Sequence, residues 1–340
     1  NAGLDGLSAD IRAGRKIKPT RLTTREGAAL AVYVPAAALM MQTDDDLSGV
    51  YFVLALALDP NLQVARSLWG QSLDNAGRRE EAVAVLSRIP EKSEFYATAR
   101  GQMAWALRRE GRNQEAIAIA GEALQHSPDR GLKIQLADLF RSLDRDDEAE
   151  HLLSEVIAED AAAGRQDWRV IYARGTTLEQ TDRWPQAESD LKTALALQPE
   201  NASILNYLGY AYIDRGLNYD AALNMISRAV ELEPQSGYIV DSLGWAHYRM
   251  GRYELATRFL ERAVELSPGV SLLNDHLGDA YWQMGRKTEA RFQWQRALKL
   301  DPSPEDRARI EAKMTSGPEA MLLKKAESET QSALPVARQN

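Results

Sequence analysis

The strongest constraint in this chain is a period. From Asn201 to Pro302 one pattern is stated three times. Leu208-Gly209, Leu243-Gly244 and Leu277-Gly278 open the blocks; Ala222, Ala256 and Ala290 follow, then Ala229, Ala263 and Ala297; Pro234, Pro268 and Pro302 close them. The prolines stand 34 residues apart (302−268 and 268−234), as do the first-named alanines (290−256 and 256−222). A chain that returns small, large and breaker residues at matched offsets builds one supersecondary unit repeatedly. Each block carries two amphipathic helical patterns, and neither helix can bury its apolar stripe alone. Gly209, Gly244 and Gly278 let the first helix approach the second, where Ala222, Ala256 and Ala290 supply a flat surface. Each proline stops the second helix, so the next block must turn back.

The same pattern extends upstream in weaker form. Units are expected at 29–62, 63–96 (Trp69-Gly70, Gly77, Ala82), 97–130 (Met103-Ala104, Gly111, Ala116, Ala123, Pro128) and 130–163 (Leu136-Ala137, Phe140, Ala149). These form an N-terminal group over 23–163; a C-terminal group over 164–304 comprises 168–201, 202–236, 237–270 and 271–304. The rhythm breaks near 158–167: Ala149 and Ala187 are 38 apart (187−149), and the second helix of 130–163 is expected to run on through "AEDAAAGRQDW". The 202–236 unit is one residue long at "RGLNYDAA". Thr23 or Thr24 caps the first helical pattern, with Glu26 in its first turn and a kink expected at Pro35. Ser303 and Pro304 start a polar helix, and 305–327 reads as capping helices with a disordered tail over 328–340. Residues 1–22 read as a leader or the remnant of an upstream repeat. The chain opens at Asn1 rather than Met, which points to a processed or excised piece.

The period and its residue set resemble the tetratricopeptide repeat (TPR). That resemblance implies an all-α fold: a right-handed α-solenoid of about eight helix-turn-helix units with a C-terminal capping helix and a concave inner face lined mainly by first helices. The strings "LNYLGYAYIDRG", "DSLGWAHYRMGRYELA" and "NDHLGDAYWQMGRKTEA" further resemble a group of largely uncharacterised bacterial multi-TPR proteins, strongest over 168–314. Members often look exported, which implies a periplasmic or envelope-associated chain, with a cytoplasmic one as the alternative.

Composition narrows the function. A formal charge of −8 lacks the basic footprint of a general nucleic-acid binder. No apolar run reaches the roughly 18 residues of a membrane span, Ala28–Met41 being short and interrupted by Pro35. With no cysteine, thiolate catalysis, thiolate metal sites and disulfides are excluded. Nucleotide-binding, serine-hydrolase and zinc-protease motifs are absent, and the four histidines fall in different blocks. His247 sits where Tyr212 and Tyr281 sit in neighbouring blocks and reads as packing; His276, Asp275 and Asp279 share a helix but are too few to argue a metal site. Neither an enzyme, a cofactor nor a metal is expected.

Binding is the remaining role. Carried over residue by residue, the TPR groove positions hold Trp105, Arg108, Arg109, Arg141 and Tyr172 in the N-terminal blocks, then Asn206, Tyr210, Tyr238, Asp241, Trp245, Tyr248, Arg249, Asp279 and Trp282. The groove would be basic early and acidic late, suited to an extended segment or helix of a partner protein. The leading expectation is a non-enzymatic scaffold or adaptor of the bacterial envelope. The alternative is the regulatory or substrate-recruiting part of an enzyme whose catalytic domain lies elsewhere. Apolar 29–57 is expected to pack against an earlier repeat, a partner or a second copy.

Overall fold

The computed structural model describes residues 22–40, 47–126 and 129–317. Over these the chain is all-α: seventeen helices and no strand. The expectations for 1–21, Pro128 and the segment beyond Gly317 fall outside the described residues. The chain divides into two compact units, Asn1–Ala187 and Glu188–Asn340, rather than at the rhythm break.

The first unit is a succession of hairpins: α1 (Thr24–Met40) with α2 (Leu47–Leu58), α3 (Gln63–Asn75) with α4 (Arg79–Leu86), α5 (Tyr96–Arg109) with α6 (Asn113–His126), and α7 (Arg130–Arg141) with α8 (Asp146–Ala162), followed by α9 (Trp168–Gln180). The division falls inside α10 (Trp184–Leu197). The second unit continues with α11 (Ala202–Asp214) and α12 (Tyr219–Leu232), α13 (Gly237–Arg249) and α14 (Tyr253–Leu266), α15 (Ser271–Gln283) and α16 (Lys287–Lys299), and ends in α17 (Pro304–Ser316). Within each unit, consecutive helices pack as pairs, and first helices also touch the next first helix.

The small positions behave as the period requires. Ala82, Ala116, Ala149, Ala187, Ala222, Ala256 and Ala290 are all fully buried. A Cβ on Gly244 would lie 2.7 Å from Leu260 Cγ and 3.1 Å from the Leu260 backbone nitrogen. One on Gly209 would lie 3.0 Å from the Ala222 carbonyl oxygen. The helices of a hairpin are therefore closer than any side chain allows.

First helices from α3 onward end alike. The N–H just after the turn's left-handed residue reaches back five residues, as in Arg78 to Leu73 O (2.8 Å), Arg252 to His247 O and Arg286 to Tyr281 O (both 2.9 Å). This Schellman closure needs one left-handed residue. Gly77, Gly111, Gly216, Gly251 and Gly285 supply it, but Asp144 (φ 55°) and Asp182 (φ 56°) take the same place in two turns. The extra residue of "RGLNYDAA" is absorbed by a second left-handed residue, Asn218 (φ 47°), beside Gly216.

Thr23 caps α1 reciprocally: its Oγ1 accepts from Glu26 N (3.2 Å), and its own N–H donates to Glu26 Oε2 (2.6 Å). The helix continues through Pro35 to Met40. Ser303 Oγ caps α17 by accepting from Asp306 N (3.1 Å), with Pro304 in its first turn. One expectation is corrected: α8 does not run through the whole excess segment. It stops at Ala162, and Gly164 (φ 66°) turns the chain into a loop that ends at Asp167, the cap of α9. Buried Asp160 ties that loop down, accepting from Arg130 Nη2 (2.7 Å) and Arg165 Nη2 (3.0 Å), while Arg130 also donates to Asp167 Oδ2 (2.8 Å).

Candidate protein-binding face

In the first unit, the arginines at the expected groove positions also link successive first helices. Arg108 donates to Ser142 Oγ (3.2 Å) and to the Ser142 carbonyl (3.0 Å), 34 residues on. Arg141 donates to Thr176 Oγ1 (3.0 Å), 35 residues on. Arg109 pairs with Asp74 and lies over the half-buried Trp105 ring, 5.8 Å from its centroid. Tyr172 is half-buried, and burial pushes its phenol above the usual range. A single block offset separates most partners, so the repeat itself sets these rungs.

In the second unit the rungs are more buried. Tyr238 stands out from α13, 58% exposed, whereas Asp241 on the same helix is 3% exposed. Asp241 Oδ2 lies 2.8 Å from His276 Nδ1 on α15, and the imidazole stacks on Trp245 (centroids 4.1 Å apart, planes at 14°). Trp245 in turn stacks on Tyr248 (4.7 Å, 10°). Asn206 Oδ1, Asp241 Oδ1 and Trp245 Nε1 are buried on this face and have no hydrogen-bond partner among the described residues. Tyr210 is half-buried, and burial together with the Asp214 and Asp241 charges pushes its phenol up to about 12. Arg249 reaches Asp214 Oδ1 (3.1 Å) and the Asp214 carbonyl oxygen (3.1 Å).

Asp279 of the expected groove and its neighbour Asp275 are neutralised within the chain. Asp279 accepts from Lys313 Nζ (2.7 Å) and from the fully buried Trp294 Nε1 (3.1 Å). Asp275, wholly buried, accepts from Lys313 Nζ (2.8 Å to each oxygen) and Arg309 Nη2 (3.1 Å). Burial raises the Asp279 carboxyl to about 6, against the pull of Lys313. Burial alone would depress His276, but the Asp241 carboxylate outweighs it and raises the imidazole above its ordinary value. Trp282, half-buried, tilts against Trp294 (5.4 Å) under Lys287 Nζ (4.8 Å from the centroid). His247 is a packing residue, stacked on Phe259 (5.5 Å, 8°).

Sequence reasoning missed Arg309 and Lys313. The signal was present, because 275 + 34 is 309 and 279 + 34 is 313. The helix after the last proline keeps the register, which a reading of α17 as a polar cap overlooked.

No group of three or more His, Asp or Glu positioned to hold a metal occurs among the described residues, and no described helix is long and apolar enough to cross a membrane. The 29–57 region leaves Val34, Leu47, Val50, Val53 and Leu54 between 45% and 62% exposed.

Comparison with known proteins places the repeat. Residues 172–218, 215–271 and 272–304 match the tetratricopeptide repeat family. A TPR repeat-containing protein of Pseudomonas aeruginosa is 32% identical over 146 residues, 43% of this chain and 24% of that protein. A lipoprotein NlpI homolog of Haemophilus influenzae is 35% identical over 103 residues, 30% of this chain and 32% of that protein. The chain thus spans about a quarter to a third of the curated relatives it matches. Among solved structures, a tetratricopeptide repeat protein from Parabacteroides merdae has a TM-score of 0.63 at 17% identity, covering 73% of this chain and 96% of that one.

Proposed function

Starting from a chain built of tetratricopeptide repeats, a protein-interaction fold, we propose that it is a non-enzymatic scaffold of the bacterial cell envelope. The first helices of the second unit hold an extended or helical segment of a partner protein. The observation that carries this reading is the stack of half-buried Tyr248 and Trp245 on the buried His276 ring. Stacked rings present a large apolar surface whose ordering cost has already been met, which is what binding hot spots require. Tyr210, Tyr238 and Trp282 extend the surface, and Arg249 marks its edge. In the first unit Trp105, Arg108, Arg109, Arg141 and Tyr172 form a second, more basic face for the same role. The likeness to a lipoprotein supports the envelope setting.

The test is recovery of partners from envelope extracts with the wild-type chain and a Trp245→Ala/Trp282→Ala variant, both checked for helical content. Loss of specific partners from the variant supports the reading. Equal recovery by both folded proteins overturns it.

A further inference from the structure

The helix α17 holds the second unit by unusual means. It buries only Ile310 and Lys313, whereas α15 buries nine residues from Leu273 to Tyr281. Its anchoring is a pair of basic residues four apart, Arg309 and Lys313, set on an acid pair four apart, Asp275 and Asp279. Residues four apart share one helix face, so two helices meet here charge against charge along a single stripe. The offset of 34 residues puts α17 where the first helix of a further repeat would stand.

We propose that α17 is an intramolecular occupant of this acidic stripe, and that the stripe's external ligand is a basic helix of the same type: Lys or Arg at i and i+4, each followed by an apolar residue, as in Arg309-Ile310 and Lys313-Met314. This rests on the binding role proposed for the same unit and names the class of segment that role takes. Simple detachment of α17 would strand two buried carboxylates, and removing one partner of a buried pair is strongly destabilising. Exchange for an equivalent basic helix avoids that penalty at equilibrium, because Asp275 and Asp279 are neutralised both before and after the exchange. The small apolar anchorage of α17 keeps the competing term low. Any ligand must still displace α17, so its apparent affinity falls by the fraction of chains in which the stripe is open.

The experiment uses the full chain and a labelled synthetic peptide of residues 303–317, read by fluorescence anisotropy. An Arg309→Gln/Lys313→Gln chain, with its own helix loosened, is expected to bind the peptide about tenfold more tightly than wild type. Added salt should weaken that binding, and a peptide carrying Arg309→Glu/Lys313→Glu should bind neither chain. Ile310→Ser, which loosens α17 without touching its charges, should reproduce the gain and decides the matter if the double variant loses helical content. Adding Asp275→Asn/Asp279→Asn to the Ile310→Ser chain should abolish the gain. Equal binding of the peptide to wild type and Ile310→Ser, or binding to neither, overturns the proposal. Partner recovery that depends on Trp245 and Trp282 but not on peptide competition would sink this inference alone; the reverse would sink only the broader binding role.

Discussion

Gly278→Ala is the smallest change that tests why the hairpins fold as they do. A Cβ at this position would lie 2.5 Å from Trp294 Cδ1 and still closer to Nε1, on a ring with no solvent exposure. The indole is rigid and fully buried, so it must shift as a body. Overpacking of this kind costs about 1–3 kcal/mol. The shift also lengthens the 3.1 Å bond from Trp294 Nε1 to the buried Asp279 carboxylate, and hydrogen bonds to charged groups are worth about 1.5–3 kcal/mol. Against both stands the helical preference for alanine over glycine, about 0.5–1 kcal/mol. The net expectation is a loss of about 3 kcal/mol, near the upper end of what single substitutions usually cost. Gly121→Ala in α6 is the internal control, because nothing lies within 4 Å of its added Cβ; that variant should gain about 0.5–1 kcal/mol. Equilibrium urea melts followed by far-UV circular dichroism and tryptophan fluorescence read both. Trp294→Phe removes the bond but relieves the clash, so Gly278→Ala/Trp294→Phe should cost less than the sum of its parts. If Gly278→Ala proves as stable as wild type, or tracks Gly121→Ala, close helix approach is not what demands the glycine.

Three further outcomes follow from the charged clusters. The buried group formed by His276, Asp241, Asp275, Asp279 and Lys313, with Arg309 at its edge, makes the second unit less stable as pH rises from about 5 to 8. His276 and Asp279 both carry folded values above their ordinary ones, so the folded state binds more protons in that window, and stability present at low pH is lost as pH passes each raised value. Melting temperatures of wild type and His276→Asn at pH 5.5 and 8 check this: wild type should melt higher at pH 5.5, with a smaller difference in the variant. Asp160→Asn should destabilise the first unit by about 2 kcal/mol, less than the usual cost of breaking a buried pair because Arg130 keeps Asp167; an unchanged urea midpoint would show that the loop is not held by Asp160. Lys313→Met should lower the midpoint of the second unit while Lys287→Met, whose cation only lies over Trp282, leaves it within about 0.5 kcal/mol.

The sequence by itself determined the repeat. Seven alanines at related offsets, a glycine or alanine before each and prolines after most second helices mark helix crossings that every block reuses. The caps at Thr23 and Ser303 were equally legible, since a cap is a local hydrogen bond between residues three apart. The left-handed turn was legible where glycine marks it and obscure at Asp144 and Asp182, because aspartate occupies that conformation less readily and only the surrounding Schellman bonds compel it. The charges were decided by the tertiary structure. Asp241, Asp275 and Asp279 sit at positions that look open when a helix is read alone, yet each is closed by a residue about one period on: His276, Arg309 and Lys313. A side chain's neighbours across a stack lie 34 or 35 residues away, so whether an acid faces solvent or a buried cation depends on which helix arrives beside it. That was settled only when α17 took its place on α15.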